Sequence, residues 1–259
     1  MTYTITRYRR DAIVSRAGQG EPQTGGGKRA EVKALSRHSL KRLCFIANNS
    51  ALLPTHMLTL TYPEVWPHDG RVSKKHFATV TKAMRRKGIE YLWFLEFQAR
   101  GAPHYHILMV DEHGEGEKIG QSWKATVKNW LVATRASNWA ITSHAEHGCD
   151  YAPLHSTNGA GRYVAKYSAK GEQKLIPEGY RNCGRFWGHS KGMTPIPLET
   201  MQCEAIDLPE HAIGQGEFVD EFGVITKVSW VHQVQFGMGA NWDNTKALIA
   251  NNAERRGRD

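Results

Sequence analysis

An α+β fold, with helices laid on a central antiparallel sheet that carries a pair of histidines, is what this 259-residue chain predicts. Three observations point to it. Tyr91-Leu-Trp-Phe-Leu-Glu-Phe97 and Tyr105 to Val110 are strongly β-prone runs, and the connection through Arg100, Gly101 and Pro103 is too tight for a parallel crossover, so they form a hairpin. His56 to Tyr62 alternates in the manner of a strand, with Thr59 and Thr61 on one face and Leu58 and Leu60 on the other. Helix-periodic stretches lie before, between and after these runs, an order that gives helices covering an antiparallel sheet.

Taken in order, residues 1–34 combine arginines with a Gln-Gly-Glu-Pro-Gln-Thr-Gly-Gly-Gly tract, and this composition predicts a flexible basic segment. Leu35, Leu40, Leu43, Cys44 and Ala47 are spaced as one face of a short basic helix. A second basic helix runs from Ser73, as its N-cap, to Lys87, with Gly88 as its stop. After the hairpin, residues 117–134 carry Trp123, Val127, Trp130 and Leu131 as the apolar stripe of a third helix. A histidine-rich loop then leads to a helix opened by Asn158 and Gly159. Arg185 to Gly192 reads as an aromatic turn in which Trp187 packs while Arg185 and Lys191 reach phosphate. A hairpin over 217–236 closes an acidic extension. The domain organisation expected is therefore 1–34, a core domain over 35–195, and an extension over 196–259.

Charge separates these regions. The net charge is +9, yet residues 1–43 hold ten Lys/Arg against three Asp/Glu, while residues 196–254 hold two against nine. The first two-thirds is the part that should meet a polyanion. Four widely spaced cysteines, Cys44, Cys149, Cys183 and Cys203, with no leader ahead of them, predict a reduced, cytoplasmic protein without disulfides. No apolar run approaches the ~20 residues of a membrane span. His144, His147, Cys149 and His155 match no standard zinc spacing and read as a loop. Gly27-Lys28 lacks the glycine five residues earlier, so the chain should lack a nucleotide-driven motor and rely on supercoiling or a host helicase.

The chemistry concentrates in two segments. His104 and His106 are two apart on a strand and share a face, where neutral imidazoles can hold one divalent ion. Glu96 and Gln98 share a face of the preceding strand, and the hairpin can bring either to the histidines as a third ligand. Thirteen histidines would give about 0.6 His-x-His pairs by chance, so the hairpin context carries the argument rather than the doublet. Downstream, Gly161-Arg-Tyr-Val-Ala-Lys-Tyr-Ser-Ala-Lys170 puts Tyr163 and Tyr167 one helical turn apart, with Lys166 and Lys170 three residues after each. Aromatic residues at helical spacing usually pack into a core, but a core stripe does not carry two lysines. Only about 0.1% of free tyrosine is phenolate at neutral pH, so a nucleophilic tyrosine needs a cation or base beside it. A metal site followed by such tyrosines suggests DNA nicking.

The order LTLTYP (Leu58 to Pro63), PHYHIL (Pro103 to Leu108), YVAKYSAK (Tyr163 to Lys170) resembles the three motifs of rolling-circle replication initiators of the HUH endonuclease superfamily, over about Thr55 to Lys170. The tandem tyrosines are similar to those of two-tyrosine phage A-type initiators, where each begins a Tyr-hydrophobic-x-Lys unit. Tyr163-Val-Ala-Lys166 fits, whereas Tyr167-Ser-Ala-Lys170 departs at Ser168. Relaxases place the tyrosine ahead of the histidines, which this chain does not; single-tyrosine transposases share its order. The resemblance implies Mg²⁺ or Mn²⁺ held by His104, His106 and Glu96 or Gln98, and catalysis by Tyr163 with Lys166 and, in a second transfer, Tyr167. Arg100, Arg162, Lys170, Arg185 and Lys191 are the expected DNA contacts. It further implies single-stranded DNA at an origin or hairpin as substrate, with a host helicase and polymerase as partners. A basic DNA-binding module with a structural metal is the non-enzymatic alternative.

Overall fold

The computed structural model describes residues 2–16, 31–63, 65–110, 126–134, 149–154, 160–161, 163–164, 176–204, 207–208, 213–219, 225–231, 234–235 and 242–256. They form antiparallel sheets with helices beside them, an α+β protein. The chain divides into two compact units, Gly27–Thr194 and a second built from Met1–Gly26 with Pro195–Asp259.

The larger unit is organised on a five-stranded sheet. Its strands are β3 (His56–Thr61), β4 (Tyr91–Phe97), β5 (Pro103–Met109), β6 (Cys149–Pro153) and β7 (Trp187–His189), in the spatial order β6-β3-β5-β4-β7. All neighbours are antiparallel. The β4–β5 hairpin closes through Gln98 to Ala102, where the Gln98 amide donates to the Ala102 carbonyl at 2.9 Å. Gly101 sits at φ +83°, the left-handed position that a three-residue hairpin loop requires and that a Cβ would strain.

One face of this sheet packs on α2 (Gly70–Arg86) and the helical residues 126–133. Leu60, Tyr105 and Ile107 of the sheet meet Phe77, Val80 and Met84 of α2, and Trp130 of the later helix, in one buried cluster. Two buried polar bonds fix the register: the Trp130 indole donates to the Thr61 carbonyl at 2.7 Å, and the Ser73 hydroxyl bonds the Tyr105 phenol at 2.9 Å. The second bond corrects the expected start of α2. Asp69 caps the helix by accepting from the Arg71 amide at 2.8 Å, and Ser73 lies inside it, fully buried. The other face receives α1 (Arg37–Asn49), whose Leu43 and Ala47 pack with Met57, Leu92, Phe94, Leu108, Ala160 and Val164.

In the second unit, β1 (Thr2–Arg7) pairs with both β2 (Ala12–Arg16) and β8 (Glu199–Glu204), and β11 (Val234–Gln235) joins the edge of β2. Residues 2–16 are thus sheet, not the flexible segment that composition predicts, because Ile5, Ala12 and Val14 bury against Cys203, Trp242 and Ile249. The helix α3 (Trp242–Arg256) supplies the last two, and its Trp242 indole donates to Glu199 at 2.6 Å. β9 (Ile213–Val219) and β10 (Ile225–Val231) form the expected hairpin. All four cysteines are thiols. Among the described residues, no helix is long and apolar enough to cross a membrane.

Candidate functional site

Strand register decides which side chains can meet. Glu96 lies directly across from His104, and His104 across from Thr61; in the next row Phe94 opposes His106, and His106 opposes Thr59. Residues directly opposite in an antiparallel pair share a face. Two rows of three side chains therefore stand on the α1 side of the sheet, at its middle three strands.

His106 is the centre of this group. It is buried, 2% exposed, and its ring stacks on Phe94 with centroids 4.8 Å apart. Its Nε2 lies 3.2 Å from Glu96 Oε2, its Nδ1 3.2 Å from Thr59 Oγ1, and the same Nδ1 3.4 Å from Tyr163 Oη, a bond at the long end of the range. His104 is half-buried beside it, with ring centroids 4.5 Å apart. Tyr163 reaches the histidine because residues 160–161 and 163–164 are helical and Ala160 and Val164 bury against Leu43 and Phe94. Gly161 permits the approach: a Cβ there would lie 1.7 Å from Asn48 Oδ1 of α1.

A carboxylate, two imidazoles and a phenol thus share one partly dry corner. Donor atoms 3.2 Å apart, as Glu96 Oε2 and His106 Nε2 are, can both lie about 2.1 Å from one ion. Nitrogen and carboxylate donors suit a divalent cation. Among the described residues, no three His, Cys, Asp or Glu side chains already converge as a metal centre. The residues fit such an ion as a pair, with His104 alongside as the third donor.

Gln98 is engaged elsewhere. Its Oε1 accepts from Arg100 Nε at 2.8 Å, and Arg100 in turn donates to the Tyr62 and Pro63 carbonyls at 2.9 and 3.1 Å while its guanidinium lies 4.7 Å from the Trp66 ring centroid. Arg100 is therefore a clamp between the hairpin turn and the end of β3. Arg185 and Lys191 are exposed on either side of β7, away from the histidines in sequence and on a different strand. Arg162, Lys166, Tyr167 and Lys170 lie outside the described residues, as do His144, His147 and His155.

Two partners escape the sequence. Thr59 is readable only as a face of a strand, since its bond to His106 depends on a register 47 residues long. Phe94 has a signal, because alternation from Glu96 puts it on the histidine face.

Residues 55–172 match the family model of the replication-associated protein ORF2. The matched span holds every member of this site, and it supports a replication initiator and hence a role in DNA replication. No curated protein and no solved structure gives a significant match.

Proposed function

We propose that the chain is a rolling-circle replication initiator of the HUH endonuclease type, which nicks single-stranded DNA through Tyr163. The observation that carries the reading is the contact of the Tyr163 phenol with His106, on the face that also bears His104 and Glu96. A structural histidine pair would have no use for a phenol at that position.

His104, His106 and Glu96 would hold Mg²⁺ or Mn²⁺, which supplies Lewis acidity toward a non-bridging phosphate oxygen when bound. Glu96 is the better carboxylate because it stands across from His104, whereas Gln98 is tied to Arg100. With Nε2 used for ligation, the neutral His106 ring carries its proton on Nδ1, facing Thr59 and Tyr163. A donor to a phenol oxygen favours the phenolate, the attacking form. Tyr163 Oη then bonds to phosphorus as the P–O3′ bond breaks, and the departing oxygen takes up a proton to become a free 3′-hydroxyl. The phosphodiester energy is retained in a 5′-phosphotyrosine, so the ends can be rejoined without ATP. Tyr167 would serve a second transfer, as in the two-tyrosine phage initiators, and Lys166 would lie one turn from Tyr163.

End labels test this directly. Incubated with Mn²⁺ and single-stranded origin DNA, the protein should form a denaturant-resistant adduct with 3′-labelled but not 5′-labelled strands. The released 5′ fragment should be extended by a polymerase. An adduct carrying the 5′ label, or full activity in EDTA, would overturn the chemistry.

A further inference from the structure

A cavity of about 930 Å³ lies in the larger unit between the segment ahead of α1, the first turns of that helix, and residues 181–189. Its charge is one-sided. Lys33, Arg42, Arg181 and Arg185 line it, against Glu31 as the one carboxylate, which accepts from Asn182 at 3.2 Å. None of the four cations forms an ion pair with a described residue, and Arg181 Nε is buried without a hydrogen-bond partner among the described residues. Four cations held around one cavity repel one another, and an anionic occupant removes that cost.

The wall also holds an aromatic ring in a fixed place. Trp187 lines the cavity, and its indole donates to Ser39 at 2.7 Å. Trp187 stands directly across from Phe94, which stands across from His106, so it lies two strands, about 10 Å, from the histidine on the same face. It packs against the cluster that also receives Tyr163. A pinned ring beside guanidinium groups is the combination that binds unpaired nucleotides, through stacking that any base can make and phosphate contacts that any sequence offers.

We propose that this groove holds the single-stranded DNA flanking the phosphate processed at Tyr163, with Arg42, Arg181 and Arg185 on the backbone and Trp187 under a base. The inference rests on the nicking reading for what the DNA is there to do, but binding can be tested without nicking. In the full chain carrying Tyr163→Phe, the affinity for a labelled 12-nucleotide oligo-dT is measured against salt for the triple variant Arg42→Gln, Arg181→Gln, Arg185→Gln. Each phosphate contact adds about 0.7 to the slope of log affinity on log salt for single strands, so the slope should fall by about 2. Lysines at the same three positions should keep most of it. The triple variant Arg71→Gln, Lys75→Gln, Arg86→Gln on exposed α2, which packs on the opposite face of the sheet, loses equal charge and should change the slope by less than half as much.

An unchanged slope in the groove variant, an equal fall in the α2 variant, or failure of the lysine variant to retain it would each overturn the proposal. So would competition by thymidine monophosphate at one site with no change in the oligo-dT slope, which would mark a small-anion pocket. Loss of slope with no adduct in the Tyr163 protein would retain the groove and sink the nicking reading; an adduct with an unchanged slope would do the reverse.

Discussion

Lys74 sits behind the histidine hairpin, and its burial makes a pH-dependent prediction. Its ammonium lies 4.2 Å from the Trp93 ring centroid and 5.7 Å from those of Tyr105 and Phe186, and it donates to the Arg185 carbonyl. Burial lowers its pKa from the ordinary 10.5 to about 8. Between those values the unfolded chain binds the proton and the folded chain does not, so stability rises with pH through that window. At about 1.4 kcal/mol per pH unit, the effect reaches up to about 3 kcal/mol. The attraction of the charged amine to Trp93, about 1–2 kcal/mol when desolvated, acts against it and trims the value. Lys74→Met keeps the stem and removes the titration. Denaturant unfolding of both proteins at pH 7.5, 9 and 10.5, followed by a probe in the larger unit, gives the difference directly. Wild type should gain about 1–3 kcal/mol on the variant as the pH rises. A constant difference, or a gain by the variant, would refute the argument that a desolvated cation is held there.

Three further substitutions probe how the site is held. Gly161→Ala should drive a methyl into Asn48 and cut adduct formation about tenfold or more; Asn48→Ala in the same chain should restore it, and failure to restore would separate the tyrosine's position from that contact. Thr59→Val removes the oxygen that orients His106, and should raise the Mn²⁺ needed for half-maximal activity about 10-fold or more while costing roughly 1 kcal/mol of stability. An unchanged metal requirement would remove Thr59 from the site. Ser73→Ala strands the buried Tyr105 phenol and should cost about 1–3 kcal/mol in thermal or denaturant unfolding, most of it recovered in the double variant with Tyr105→Phe. A double variant no more stable than Ser73→Ala alone would mean the loss has another origin.

Local pattern makes the hairpin readable, because its two β-prone runs and the Arg100-Gly101 turn lie within 19 residues and their alternation already groups Glu96, His104 and His106. The same holds for α1 and α2, to within the cap: Ser73 is a good capping residue, and only its burial against Tyr105 shows that Asp69 takes that role. What stays hidden depends on distant partners. Ile5 and Val14 look like part of a polar arm until β8, nearly 200 residues later, supplies the sheet that buries them. β6 reads as part of a histidine-rich loop, since its five residues become a strand by pairing with β3. Arg42 and Arg181 each look like ordinary surface charge, and their meeting around one cavity is a property of the fold alone.

The central claim is that Tyr163 attacks the phosphate, and the sequence makes it directly measurable. Trypsin cuts after Arg162, Lys166 and Lys170, which puts Tyr163 and Tyr167 in separate tetrapeptides, Tyr163-Val-Ala-Lys166 and Tyr167-Ser-Ala-Lys170. After nuclease trimming of the adduct, mass spectrometry should find the nucleotide mass on the Tyr163 peptide at the first turnover, and Tyr163→Phe should abolish it. The nucleotide only on the Tyr167 peptide, with the Tyr163→Phe protein still forming its adduct, would contradict the account.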